Sequence, residues 1–268
     1  MTMAIAEPRV VDGGAVLTGA APSIRIQGLE KRFGKQVVLR GVDLEVRSGE
    51  LMVIIGRSGG GKSVLLRHIL RLVSPDGGRI VIGGQDVTAL RGRALDRVRE
   101  RFGVVFQGGA LFDSLTVFQN VLFPIKEKTR LPRETLVRRA NEALAQVGLA
   151  DTGDKFPSEI SGGMRKRVAI ARALVTEPEL VFLDEPTTGL DPVLVNSIHH
   201  LIVSLHRALR FTAVMVSHEI PGIFGIADRV AVLHEGRIHV VGTPEVIQGS
   251  QDPAVRKFIH GEVDLDAR

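Results

Sequence analysis

Apolar positions along this chain switch between two periods. Val42, Leu44 and Val46 alternate with Asp43, Glu45 and Arg47, the period-two pattern of a strand with one solvated face, and predict early antiparallel strands. Leu51 to Ile55 is apolar at every position, which predicts a central parallel strand covered on both faces. A glycine-rich stretch follows, and then Val64, Leu65, Leu66, Ile69 and Leu70 at helical spacing, giving strand, loop, helix. Pro75 to Gly78 predicts a turn into a strand from Arg79 to Ile82, and Arg91 to Arg101 a basic helical stretch with a solvated face. From Pro132, placed as a first helical position, Leu136, Val137, Ala140, Ala143, Leu144 and Val147 trace one helical face that ends at Gly148. Strand pattern resumes at Leu180 to Leu183 and at Phe211 to Val216, then in a hairpin of Val230 to His234 and Arg237 to Val241 around Glu235 and Gly236. The alternation is that of an α/β domain with a helical insertion in its middle.

With 268 residues, 44% of them hydrophobic, the chain has enough apolar material for one large core. The absence of Cys excludes disulfides, Cys-ligated zinc, iron–sulfur clusters and a thiol nucleophile, and is compatible with a reducing compartment. The net charge of +5 suits an anionic ligand or a membrane surface and singles out neither. The longest apolar runs are strand-sized, far short of the ~20 residues of a membrane-spanning helix. Residues 1–22 lack both a basic start and a sustained apolar stretch, so they are expected to be a flexible tail and neither a signal peptide nor an anchor.

The strongest local signal is Gly56, Arg57, Ser58, Gly59, Gly60, Gly61, Lys62 and Ser63, which fits the phosphate-loop pattern G-x-x-x-x-G-K-[ST] in its strand–loop–helix setting. Glycines let consecutive N–H groups turn toward phosphate oxygens, and the helix that begins there aims its positive end at them. Lys62 can reach the β and γ phosphates, and the Ser63 hydroxyl is a hard oxygen ligand of the kind Mg2+ takes. An ordinary glycine-rich turn is the plainer alternative. Leu180 to Leu183 leads into Asp184 and Glu185. Beside a phosphate loop, Asp184 would hold Mg2+ and Glu185 would orient or deprotonate an attacking water, whereas alone two acids after a strand more often cap a helix. Ser161 is a candidate N-cap of a helix carrying Val168, Ala171 and Leu174. Gln107 and His218 each follow a predicted strand and could reach a γ-phosphate, though a lone Gln or His is usually structural.

Taken in order, these segments make the chain resemble the nucleotide-binding subunit of ABC transporters from Ser23 to about Gly242. By that resemblance Phe33 is the aromatic that stacks on adenine, Gly56 to Ser63 are Walker A with Val64 completing the nucleotide contacts, and Gln107 is the Q-loop residue. Ser161, Gly162 and Gly163 match the signature, Asp184 and Glu185 match Walker B and the catalytic glutamate, Leu190 and Asp191 the D-loop, and His218 the switch histidine. The resemblance implies catalytic roles for Lys62, Gln107, Glu185 and His218, and Mg2+ ligation by Ser63, Gln107 and Asp184. It also implies a P-loop NTPase fold, with a RecA-like core, an antiparallel β-subdomain and a helical subdomain at about residues 108–175. The cassette would span residues 23–246 and be followed by a C-terminal tail at 247–268. Two copies would close head to tail over two ATP molecules, with Ser161 and Gly163 completing the partner's site. The usual signature ends in Gln; here Met164 is followed by Arg165, Lys166 and Arg167, which removes one polar contact near the opposing nucleotide.

Within the family, Phe106 to Leu115, the signature through Met164, and Asp252 to Phe258 are similar to the ATPases of Mla/MCE lipid transport systems. That likeness implies phospholipid or lipid transport across the bacterial envelope from the cytoplasmic face of the inner membrane. Its partners would be a membrane permease, a periplasmic MCE-domain protein and, in some such systems, a STAS-domain subunit. The stretch Ala110, Leu111, Phe112, Phe118, Val121, Leu122 and Phe123 reads mostly as subdomain core, with some aromatic surface expected where a permease docks. The alternatives are a cassette for another substrate, or an ABC ATPase acting on nucleic acid or ribosomes. The latter is disfavoured because one cassette stands here without a heptad insertion or an RNA-binding motif, so no nucleic-acid partner is expected.

Overall fold

The structure, a computed structural model, describes residues 9–10, 23–220 and 222–260. Its strands are β1 (Arg9–Val10), β2 (Ile24–Phe33), β3 (Gln36–Val46), β4 (Leu51–Ile55), β5 (Gly77–Ile82), β6 (Gln85–Asp86), β7 (Phe102–Val105), β8 (Leu180–Asp184), β9 (Thr212–Ser217), β10 (Arg229–His234) and β11 (Arg237–Gly242). Its helices are α1 (Lys62–Ile69), α2 (Gly92–Arg99), α3 (Val117–Lys128), α4 (Arg133–Gln146), α5 (Gly162–Leu174), α6 (Pro192–Leu209), α7 (Pro244–Gln248) and α8 (Pro253–His260). The chain divides into two compact units, residues 1–90 with 216–268, and residues 91–215.

In the first unit, β3, β2, β5 and β6 form an antiparallel sheet in that order. Its register pairs Ile24 with Val46 and Ile26 with Leu44 on the buried face, and Arg25 with Glu45 on the solvated face, where their side chains meet at 2.6 Å. The alternation seen in the sequence is therefore the two faces of this sheet. A second set of strands runs β1, β11, β10, β4. Strand β4 pairs in parallel with β10 and is buried along its whole length, as its unbroken apolar run requires. The β10–β11 hairpin turns on Glu235 and Gly236, both at positive φ (48° and 77°), the backbone that a two-residue hairpin turn demands. Arg9–Val10, inside the segment expected to be a flexible tail, pairs in parallel with Val240 and Val241. The other residues of 1–22 lie outside the described residues, as do 261–268 of the expected C-terminal tail, which is otherwise largely helical in α7 and α8.

In the second unit, β7 and β8 run parallel, Phe102 beside Leu180 through Val105 beside Leu183, and β9 follows β8 on its other side. Phe102 and Phe182 meet edge to face at 5.1 Å. Helix α5 buries Val168, Ala169, Ile170, Ala171, Ala173 and Leu174. Helix α4 begins one residue later than the sequence suggests: Pro132 is its N-cap, with ψ at 147°. It stops as read, since Gly148 at φ 71° lets the Leu149 N–H reach back to the Leu144 carbonyl at 2.8 Å. The predicted turn through Gly77 and Gly78 is already strand, because β5 starts at Gly77.

Candidate functional site

In the first unit, buried β4 ends at Ile55 and the chain turns at Gly56. A Cβ at Gly56 would stand 2.4 Å from the Leu233 carbonyl oxygen, so only glycine permits this path beside β10. Gly61 caps α1 at φ 97°, a backbone that a side chain disfavours. Between them the loop is closed by the Gly60 N–H on the Arg57 carbonyl at 3.0 Å. The Lys62 ammonium is turned into the loop, donating to the carbonyls of Gly56 at 2.9 Å and Arg57 at 3.1 Å. It is only 4% exposed. The result is a concave backbone at a helix N-terminus with a lysine inside it, the arrangement that binds phosphate. Arg57, Ser58 and Gly59 are exposed on the loop rim, while Ser63 and Val64 sit half-buried on the first turn of α1. Phe33 closes β2 with its ring 48% exposed and the Lys31 ammonium 5.3 Å from its centroid. His218 directly follows β9 and is exposed, in a turn where the Ser217 hydroxyl accepts the Glu219 N–H at 3.0 Å.

In the second unit, β8 ends on Asp184, which is buried. Glu185 then adopts φ 45°, a left-handed backbone that costs a branched or long side chain about 1 kcal/mol or more. The strain is matched by contacts. The Gln107 amide, just beyond β7, donates to Glu185 Oε2 at 3.0 Å, and the Thr188 hydroxyl donates to the same oxygen at 3.1 Å. The structure thus joins Gln107 to Glu185, two of the residues singled out in the sequence, and adds Thr188, which sequence reasoning missed. The signal was present: Glu185 and Thr188 are three apart in a Pro- and Gly-containing turn, and the Thr188 N–H bonds the Glu185 carbonyl at 3.3 Å.

Ser161, Gly162 and Gly163 form a third set, at the start of α5. The Ser161 hydroxyl accepts the Met164 N–H at 3.3 Å, the expected cap. A Cβ at Gly162 would meet only ordinary contacts, Leu190 at 3.7 Å and Arg165 at 3.8 Å. The packing of this unit therefore does not require that glycine. Asp191, in the predicted D-loop, caps α6 by accepting the N–H groups of Val193 at 3.0 Å and Leu194 at 3.1 Å.

The apolar stretch after Gln107 is less buried than its reading as mostly core implies, and it carries the aromatic surface that was also expected. Val121 is buried, whereas Phe112 is 45% and Phe123 41% exposed, their rings touching edge to face at 5.0 Å. Asn120, fully buried, holds the loop before α3 by accepting the Phe112 N–H and donating to the Phe112, Leu115 and Thr116 carbonyls. No helix among the described residues is long and apolar enough to cross a membrane.

Comparison with known proteins adds the following. Residues 39–188 match the family model described as ABC transporter. The ATP-binding protein of the intermembrane phospholipid transport system of Haemophilus influenzae is 39% identical over 245 residues, which are 91% of this chain and 93% of that one. The methionine import ATP-binding protein of Xanthomonas campestris is 43% identical over 248 residues, 91% of this chain and 74% of that one. A dimeric ATP-binding cassette in a post-hydrolysis state bound to ADP and Pi superimposes with a TM-score of 0.75 at 30% identity, over 82% of this chain and 98% of that one.

Proposed function

The chain belongs to the ABC transporter family and is an ATP hydrolase with the fold of an ABC cassette, and from that premise we propose that it powers lipid transport across the envelope. What supports lipid over another cargo is extent. The phospholipid-system relative is matched over 93% of its length, whereas the methionine importer carries about a quarter of its chain outside the match. The segments Phe106–Leu115 and Asp252–Phe258 point the same way. The 43% identity to the methionine importer supports the second reading, a cassette serving an amino-acid permease.

Each residue has a role in that proposal. The N–H groups of Gly56 to Ser63 and the Lys62 ammonium, released from its loop carbonyls, bind the β and γ phosphates, with Arg57, Ser58 and Val64 shaping the cradle, while Phe33 stacks on adenine. Ser63, Asp184 and Gln107 offer only oxygen donors, which fits Mg2+ held partly by substrate phosphates and water; when bound, the metal neutralises charge on the β and γ oxygens. Glu185 takes the proton as a water oxygen attacks the γ-phosphorus in line and the bond to the bridging oxygen breaks, leaving ADP and inorganic phosphate. Gln107 and Thr188 hold its carboxylate, and His218 donates to the γ-phosphate. Ser161, Gly162, Gly163 and the α5 N-terminus close the same site from a second copy.

Partners in this reading are that second copy, permease subunits docking on the Phe112–Phe123 surface at the cytoplasmic face of the inner membrane, a periplasmic MCE-domain protein, and a STAS-domain subunit where the system has one. The test is capture of the native assembly from membranes by a tag on this chain, followed by analysis of its proteins and bound lipid. Recovery of a permease with an MCE-domain protein and phospholipid is expected; recovery of an amino-acid permease with a solute-binding protein would overturn the lipid reading.

A further inference from the structure

Three consecutive cations follow the signature, and each is held by a different part of the chain: Lys166 is buried, Arg167 half-buried and Arg165 exposed. Successive side chains on α5 point about 100° apart, so each finds a different neighbour. Arg165 donates to the carbonyls of Ile160 at 2.8 Å and Pro157 at 3.4 Å, before the cap. Arg167 donates to the Val147 carbonyl at 2.9 Å and the Ser197 hydroxyl of α6 at 2.8 Å. Lys166, 8% exposed, donates its ammonium to the Gln107 main-chain carbonyl. Further along α5, Arg172 takes the carbonyls of Gly109 at 2.6 Å and Ala110 at 2.7 Å. The turn they hold is closed by the Gly109 N–H on the Phe106 carbonyl at 2.7 Å. The Gln107 side chain, in turn, reaches Glu185 at 3.0 Å.

We propose that Lys166 is a positioning residue for hydrolysis: by fixing the Gln107 backbone to α5, it aims the Gln107 amide at the Glu185 carboxylate. A charge-assisted hydrogen bond is strong and directional, and its loss frees the Gln107 carbonyl from α5. The turn would then settle elsewhere, and the amide with it. The same helix starts with Ser161 and Gly163, so the signature end and the Glu185 end of the chemistry are tied through one rigid element. The inference rests on Glu185 being the base, as proposed above. Neither the Arg165–Lys166–Arg167 run nor the missing signature glutamine then bears on nucleotide contact alone; the run is an internal anchor.

The experiment is steady-state ATP hydrolysis by the full chain, with nucleotide affinity and thermal unfolding measured on the same samples. Lys166→Met, unbranched like lysine but one atom shorter and without the charged donor, should lower kcat about tenfold, since small misplacements of a catalytic group cost rate steeply. KM and nucleotide affinity should stay within about twofold of the parent, as for a group that acts only on the chemical step. Lys166→Arg should recover most of the rate. The decisive readout is a double-mutant cycle: in a Gln107→Ala background, Lys166→Met should cost nothing more. Full additivity, or a folded Lys166→Met with unchanged kcat, overturns the proposal. If Lys166→Met does not fold, Lys166→Leu, which also removes the donor to the Gln107 carbonyl, replaces it in the same cycle with the same expected loss and the same non-additivity. A parent chain active with ATP but indifferent to Glu185→Gln would instead remove the underlying assignment of the base.

Discussion

At Glu185, basicity and hydrogen-bond geometry can be separated by one atom. Its Oε2 accepts from both Gln107 and Thr188, and a glutamine carbonyl can accept the same two bonds. Glu185→Gln should therefore keep the local structure and lose only the proton acceptor. Turnover should fall by about 10²- to 10⁴-fold, the usual worth of a positioned acid or base, with nucleotide affinity retained; equal losses in both would mean that the carboxylate serves binding. Lys62 is the opposite case. Its ammonium is buried against the Gly56 and Arg57 carbonyls, where it helps hold the loop that is proposed to take phosphate. Lys62→Ala should abolish nucleotide binding, as titration with a fluorescent ATP analogue would report, and normal binding would remove the phosphate-loop assignment. Thr188→Val, losing one hydroxyl of the two donors, should slow turnover by less than Glu185→Gln does.

Among the elements, α8 shows how a terminal helix is held. Asp252 accepts the N–H groups of Ala254 at 2.9 Å and Val255 at 3.3 Å, and its other oxygen meets His239 of β11 at 2.9 Å. The His239 contact, aided by those N–H groups, holds the Asp252 carboxyl below the usual aspartate value. A carboxyl whose value is depressed on folding stabilises the fold above its unfolded value and loses that contribution as pH falls through the folded one. Attachment of α8 should thus be complete at neutral pH and weaken once pH drops below about 4, the ordinary aspartate range. Asp252→Ala should loosen α8 at every pH, by about 1 kcal/mol if it costs what an N-cap usually does. Hydrogen exchange resolved on α8 against α7 checks both, and an α8 unaffected by the substitution would show that Pro253 and packing alone start it. The elements themselves were largely legible in the sequence wherever one physical rule dominated, as in the unbroken burial of β4, the Glu235–Gly236 hairpin and the Ser161 cap. Contacts set by tertiary packing were not. Some aromatic surface after Gln107 was expected and stands in Phe112 and Phe123, but which side chains turn inward was not legible: Val121, Ile125 and the fully buried Asn120 occupy the inner face of α3. The burial of Lys166 was equally hidden, since a run of three cations is most often solvated and the Gln107 carbonyl that takes its ammonium comes from a loop far away in the chain.

For the molecule as a whole, the start of α5 and the start of α6 argue for a second copy. Gly162 is bare without internal need, and Val193, on the first turn of α6, is 77% exposed. Leu194, also exposed, lies 3.4 Å from the position of a Gly163 Cβ, so these apolar groups border the signature. An apolar rim around a helix N-terminus suits burial by a partner that brings an anion. If two copies close head to tail, each site draws its cradle from one chain and its signature from the other, which makes a complementation test possible. A chain inactivated at Lys62→Ala and one inactivated in the signature by Ser161→Ala with Gly163→Asp should each hydrolyse little ATP alone. Mixed in equal amounts with random pairing, half of the dimers are heterodimers, and each has one site with both halves intact. About a quarter of the parent's sites are then restored, and activity should rise toward about a quarter of the parental rate if the sites act independently. Sites built within one chain predict no recovery at any mixing ratio. Adding Glu185→Gln to the signature-defective chain leaves the intact cradle beside a missing base, so the recovered activity should vanish while dimer formation with ATP persists. Recovery that survives this third change would place the base on the chain that supplies the signature.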